Sequence, residues 1–191
     1  MKIVFATNNK NKLRELREMA AGSDIDILGL ADIGCNEEII EDADTIEGNA
    51  LIKARHVKNK YGYDCFADDT GLEINALGGA PGVYSARFAG EDCNSERNID
   101  KVLSLMTAAI DRSARFVTVI ALCRGDETML FEGEVKGTIL ESRRGEGGFG
   151  YDSIFKPEES DLSFAEMTDD QKNRISHRGR AVKKLIEYLM G

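Results

Sequence analysis

The order of apolar and polar positions predicts alternating strands and helices. Residues 2–6 (KIVFA) form a short unbroken apolar run, the pattern of a strand buried on both faces of a sheet. A polar stretch follows, and then Leu13, Leu16 and Ala20 recur at helical spacing. Residues 26–30 predict a second short strand, and residues 31–44 are acidic and loop-like. Over residues 45–61, Ala50, Ala54, Val57 and Tyr61 mark the packed stripe of a helix, with Asn49, Lys53 and His56 on a different, polar face. Asn94 or Ser95 caps a further helix whose buried side is Ile99, Val102, Leu103 and Met106. Residues 115–124 and 129–140 read as strands joined in a hairpin through Gly125-Asp126. Val182, Leu185, Ile186 and Leu189 give the last helix its buried stripe. No linker, repeat or low-complexity tract divides the chain, which predicts one α/β domain over residues 1–191.

Composition narrows the classes. The 191 residues are 42% hydrophobic and 31% charged, ordinary values for a folded domain. A net charge of −9 argues against binding a nucleic-acid polymer or an anionic membrane, because phosphate surfaces demand a basic face. Any anionic ligand must be met by a local group of cations. The cysteines at 35, 65, 93 and 123 contain no C-x-x-C pair, so no zinc framework is expected, and free thiols in a reducing compartment are the simpler account. The apolar run at residues 116–123 is far below the ~18 residues a membrane span needs. With no signal-peptide pattern, a soluble cytoplasmic protein is expected.

The candidate chemistry centres on residues 66–90. Asp68 and Asp69 follow the apolar run Cys65-Phe66-Ala67, and Thr70-Gly71 is expected to break that strand. Gly78, Gly79, Pro81 and Gly82 then require an irregular backbone. Acids where a strand gives way to a rigid loop suit a hard divalent cation; the competing reading is a turn with solvated acids. In an extended backbone the two aspartates point to opposite faces, which leaves one for the site and the other as support or a secondary ligand. Thr7, Asn8, Asn9, Lys10, Asn11 and Lys12 link the first strand to a helix N-terminus, an anion-binding arrangement enriched in cations. Lys53 is a further candidate for holding phosphate. In residues 142–152 (SRRGEGGFGYD) a match to G-x-G-x-x-G is followed by a strand-like run, where a dinucleotide site needs a helix, so that reading is rejected. Phe149 and Asp152 in this loop suit a flat heterocycle, by stacking and by hydrogen bonds to its edge. His177 and Arg178 stand at the start of the last helix, where the dipole disfavours cations, so another use is expected for them.

Five stretches together resemble the inosine triphosphate pyrophosphatase family: FATNNKNK at 5–12, NALIKAR at 49–55, ADDTG with ALGGAPGVYSAR between 67 and 87, GFGYD at 148–152 and SHRGRA at 176–181. They occur in family order and span nearly the whole chain. The resemblance implies an elongated, two-lobed α/β domain with a central mixed β-sheet, helices flanking it and a cleft between the lobes. It also implies a homodimer and Mg²⁺-dependent hydrolysis of ITP, dITP and XTP to the monophosphate and pyrophosphate. By position, Asp69 is then the catalytic acid and Thr7 to Lys12 hold the triphosphate. Thr70, Phe149, Gly150, Tyr151, Asp152, Lys172, His177 and Arg178 line the nucleotide. Where the family often has two glutamates, this chain has Ile40-Glu41, which leaves Glu41 beside Asp69 as the second metal carboxylate. The helix lead-in Thr45-Ile46-Glu47-Gly48-Asn49 departs from the family pattern as well. The rival readings are a pyrophosphatase for another modified base and a nucleotide-binding module without turnover.

Overall fold

Seven strands and five α-helices follow one another in the computed structural model, which describes all 191 residues, Met1–Gly191. The strands are β1 (Lys2–Phe5), β2 (Asp26–Leu28), β3 (Cys65–Ile74), β4 (Pro81–Gly82), β5 (Ser113–Arg124), β6 (Glu127–Ile139) and β7 (Phe155–Pro157). The helices are α1 (Lys10–Met19), α2 (Ile46–Tyr61), α3 (Ser95–Leu105), α4 (Asp169–Ile175) and α5 (His177–Met190). The sheet has the order β2-β1-β3-β5-β6-β7, with β4 paired to β3. β1 is parallel to both β2 and β3, whereas β4 on β3 and β7 on β6 are antiparallel, so the sheet is mixed and the α/β expectation holds. No helix is long and apolar enough to cross a membrane.

The chain forms two compact units. The first comprises Met1–Asp69, Thr118–Gly133 and Gly179–Gly191. Its strands alternate with period two, and both faces are buried. Ile3, Phe5, Phe66, Ile120 and Leu122 point to one side, where Leu16 and Ala20 of α1 and Ala181, Val182 and Leu185 of α5 complete a core. Phe5 and Phe66 stack there with centroids 4.8 Å apart. Val4, Ala6, Cys65, Ala67, Ala121 and Cys123 point to the other side and pack with Ala50, Ala54 and Val57 of α2. Small side chains on both partners let α2 lie close to the sheet. Thr45 caps α2 by accepting from the Gly48 N–H, and Gly62 ends it in the left-handed conformation.

The second unit comprises Thr70–Val117 and Glu134–Arg178. Leu72, Ile74, Ile99, Val102, Met106, Phe116, Val135, Ile139, Phe155 and Phe164 are among its core residues. Phe155 is central to this core, edge-on to Phe116 at 4.7 Å and tilted against Phe164 at 5.2 Å.

One expectation about the central segment fails. Thr70-Gly71 does not end the strand, since β3 continues to Ile74. Leu72 and Glu73 find backbone partners in Gly82 and Pro81, and the Leu72 N–H donates to Ser85 Oγ at 2.9 Å. The turn is displaced to residues 78–82, where Gly78, Gly79 and Gly82 all take positive φ. The Gly-rich loop before β7 leads into a single 3₁₀ turn (Asp152–Ile154) and no helix, as the rejection of dinucleotide binding required.

Gly137 pairs with Pro157 across β6 and β7, and a Cβ there would lie 2.4 Å from the Lys156 carbonyl oxygen and 2.6 Å from Phe155 Cζ. Backbone on one side and the central core ring on the other leave no room to relax. Gly137→Ala is expected to destabilise the fold by about 1–3 kcal/mol. At about 2–4 °C per kcal/mol for a chain of this size, a thermal melt should show a drop of several degrees. An unchanged melting temperature would mean that β7 can shift without loss.

Candidate active site

The alternation along β3 decides which way its two acids point. Asp68 follows Phe66 onto the α1 side, and Asp69 follows Ala67 onto the α2 side. Each meets side chains from the helix on its own face. Asp68 is buried, 1% exposed, and accepts a hydrogen bond from Lys12 Nζ of α1 at 3.0 Å. Asp69 accepts from Asn49 Nδ2 of α2 at 3.3 Å. One turn on from Asn49, buried Lys53 pairs with Glu41 at 2.6 Å. Asn49 also accepts the Ala43 N–H at 3.0 Å, so a single amide ties the acidic loop to Asp69.

These groups share one electrostatic field. Burial acts most strongly on Lys53 and opposes its charge, but Asp69, Glu41 and Asp68 outweigh it and raise its pKa. The ammonium is therefore kept charged away from water. For Asp69, burial is again the largest influence and raises the pKa; Lys53 and Lys12 pull it down, while Glu41 and Asp68 push it up. The balance leaves Asp69 above the ordinary aspartate value.

At the start of α1, Asn9 is the N-cap, and its Oδ1 accepts the N–H groups of Asn11 and Lys12. Thr7 Oγ1 accepts the Asn9 N–H at 3.1 Å. Part of this motif is thus ordinary capping. Capping does not explain the charges, because the first turn contains Lys10 and Lys12 and no acid, against the helix dipole. Asn8, Lys10 and Asn11 are exposed.

In the second unit the cations gather around one ring. Lys172 Nζ lies 4.5 Å from the centroid of Phe149, and the Arg178 guanidinium carbon 5.5 Å from it. Arg178 also donates to Thr70 Oγ1 at 3.3 Å. Asp152 performs a local task, since its Oδ2 accepts from Lys172 Nζ at 2.7 Å and from the Phe149 N–H at 2.9 Å. Gly148, at φ +68°, makes that arrangement possible, because any Cβ would collide with the Asp152 carboxylate. The Thr168–Gln171 capping box starts α4 and so aims Lys172. Gly150, also at positive φ, is half-buried, whereas Tyr151 is buried and donates to the Ser85 carbonyl at 2.6 Å. His177 stacks on Phe116 at 4.6 Å, so its place at the start of α5 is explained at least in part by core packing.

Asn49 and the Lys12–Asp68 pair are the site features that the sequence reading undervalued. Asn49 could have been noticed as an amide on the polar face of α2, one turn before Lys53. The Lys12–Asp68 pair spans 56 positions, and no local pattern announces it.

The burial of Asp69 has a measurable consequence. An acid with a folded pKa above its unfolded value is most favourable to folding when protonated, and it costs stability as pH rises through that range. Asp69→Asn is therefore expected to raise the melting temperature in metal-free buffer at neutral pH, by about a few degrees for a chain of this size. The gain should shrink as pH falls from neutral into the acid range, because the wild-type carboxyl then takes up its own proton. Scanning calorimetry at neutral and at acid pH reads this directly, and a lower melting temperature at neutral pH would contradict it.

Known proteins resemble this chain over its whole length. The sequence pattern of the Ham1 family matches residues 3–188. A dITP/XTP pyrophosphatase of Christiangramia forsetii is 55% identical over 189 residues, covering 99% of this chain and 99% of the relative. Another dITP/XTP pyrophosphatase, from Flavobacterium johnsoniae, is 55% identical and covers 99% of this chain and 98% of its own. The structure of the Staphylococcus aureus Ham1 protein superposes with a TM-score of 0.90 at 38% identity, covering 100% of this chain and 99% of that one. With this agreement from end to end in both sequence and fold, the chain belongs to the Ham1 family.

Proposed function

We propose that this chain is a nucleoside triphosphate pyrophosphatase that hydrolyses the deaminated purine nucleotides dITP, ITP and XTP to the monophosphate and pyrophosphate. The observation that carries this reading is the buried, charged Lys53 beside Asp69, Asn49 and Glu41. A triphosphate resists attack by water until its charge is neutralised, and fixed cations in a water-poor site do this without reorganising. Lys53 and Lys12 supply that charge from α2 and α1, and residues 7–12 hold phosphate oxygens through side chains and backbone. Asp69, with its elevated pKa, is suited to orient a water and accept its proton.

Mg²⁺ is the cofactor this donor set fits. The fit rests on Asp69 and Glu41, two hard oxygen donors, the first disfavoured by burial without a matching cation. Bound there, the ion would neutralise phosphate charge and acidify water. In the second unit, Phe149 would stack on the purine and Arg178 would donate to O6. Adenine offers an amine at that position, which would face another donor, and unpaired polar groups of this kind make rejection strong. Thr70 and Asp152 hold Arg178 and Lys172 in place for this reading. We further propose a single working domain, assembly as a homodimer and residence in the cytoplasm, where nucleotide pools are made.

The test is a panel of ITP, dITP, XTP, GTP, ATP and dUTP with Mg²⁺, scored separately for pyrophosphate and orthophosphate. Fast release of pyrophosphate from the first three is expected. Preference for dUTP, or release of orthophosphate, would overturn the reading. Arg178→Ala should narrow the ITP-over-ATP ratio of kcat/KM at least about tenfold, the equivalent of 1.4 kcal/mol. An unchanged ratio would remove Arg178 from base recognition.

A further inference from the structure

A second group of metal-type donors gathers where the acidic loop meets α2, on residues given no role so far. Cys35 Sγ, a carboxylate oxygen of Glu37 and a ring nitrogen of His56 all lie within 4.8 Å of one another. Cys35 is buried, while Glu37 and His56 are half-buried. His56 Nε2 lies 2.7 Å from Glu37 Oε1, and the Tyr61 hydroxyl donates to both Glu37 oxygens at 3.0 Å. Lys60 Nζ donates to the same Oε1 at 2.7 Å. Held by Lys60 first and His56 next, Glu37 has its pKa lowered to about 2 and stays ionised.

We propose that Cys35, Glu37 and His56 form a binding site for one zinc-class divalent cation, separate from the hard-oxygen donors Asp69 and Glu41. Thiolate, imidazole and carboxylate together select zinc or cobalt over magnesium. Donor atoms on a tetrahedral zinc lie about 3.5 Å apart, given bonds of about 2.0–2.3 Å. That spacing falls between the 2.7 Å His56–Glu37 contact and the 4.8 Å outer limit, so small side-chain shifts bring all three donors into place. Lys60 now occupies the carboxylate, but its side chain is 56% exposed and can swing into solvent. A water completes four-coordination, while the Tyr61 hydroxyl keeps its hydrogen bond to Glu37.

Charge and protons balance. The dication replaces the thiol proton, which leaves to solvent, and its two charges are met by one thiolate and one carboxylate. Affinity therefore rises with pH. Cys35 and Glu37 lie in the loop that leads to Glu41, and His56 lies three residues beyond Lys53 in α2. A bound ion would fasten the loop that bears Glu41 to the helix that bears Lys53.

Cobalt is the probe, because a thiolate ligand gives Co²⁺ a sulfur-to-metal charge-transfer band that oxygen donors do not. The whole chain is titrated as the Cys93→Ser variant, which removes the exposed thiol. One equivalent of Co²⁺ is expected to develop the band together with tetrahedral d–d absorption, and Zn²⁺ should displace it. In that background Cys35→Ser should abolish the band, and His56→Gln, at a half-exposed position that leaves the core intact, should weaken binding at least tenfold. Circular dichroism confirms that each variant is folded. Absence of the band in the Cys93→Ser protein overturns the proposal, as does a band that persists undiminished in His56→Gln.

Discussion

Two consecutive carboxylates on one strand, each answered from its own side of the sheet, constrain everything around them. Lys12 approaches Asp68 from α1, and Lys53 enters the field of Asp69 from α2. Taking such charges out of water costs several kcal/mol per ion, and a packed apolar pair would commonly serve stability as well or better. Losing one member of the Lys12–Asp68 pair alone is worse, since it strands its partner, at about 3–5 kcal/mol. The lattice therefore makes poor sense as a stabilising device. It makes good sense as a preorganised site, where charges are held at fixed positions before any ligand arrives.

The scaffold is arranged to keep those charges in place. Stacked Phe5 and Phe66 and their neighbours fix the α1 side of β3, while a surface of alanines and cysteines lets α2 settle close on the other. The second unit applies the same logic with different means. There, Asp152 pins Lys172 and the Gly-rich backbone at once, and two cations, Lys172 and Arg178, lie near the Phe149 ring. In both units the acids nearest the candidate ligand groups act largely as holders of cations.

Much of this was legible in the sequence. Period-two alternation places Asp68 and Asp69 on opposite faces, and the polar face of α2 singles out Lys53. Helix starts at Asn9, Thr45 and Asn94 are local chemistry and read as such. What failed was local punctuation overruled by tertiary pairing. Thr70-Gly71 looks like a strand end, but β4 and Ser85 supply hydrogen-bond partners that carry the strand on to Ile74. Tyr151 and His177 also make contacts, with Ser85, 66 positions away, and with Phe116, that no local pattern reveals. The Cys35–Glu37–His56 group was hidden for the same reason, since spacing along the chain shows metal ligands only when they are close in sequence.

The central claim is that Lys53 is kept charged in a buried nest of carboxylates in order to neutralise phosphate. Lys53→Met keeps an unbranched apolar stem of similar length and removes the ammonium with its charge and its hydrogen bond to Glu41. Steady-state kinetics on ITP, with circular dichroism as the check on folding, should show kcat/KM reduced by at least about 100-fold, as expected when a positioned charge is lost from a transition state. A folded Lys53→Met enzyme that hydrolyses ITP at close to the wild-type rate would contradict the account.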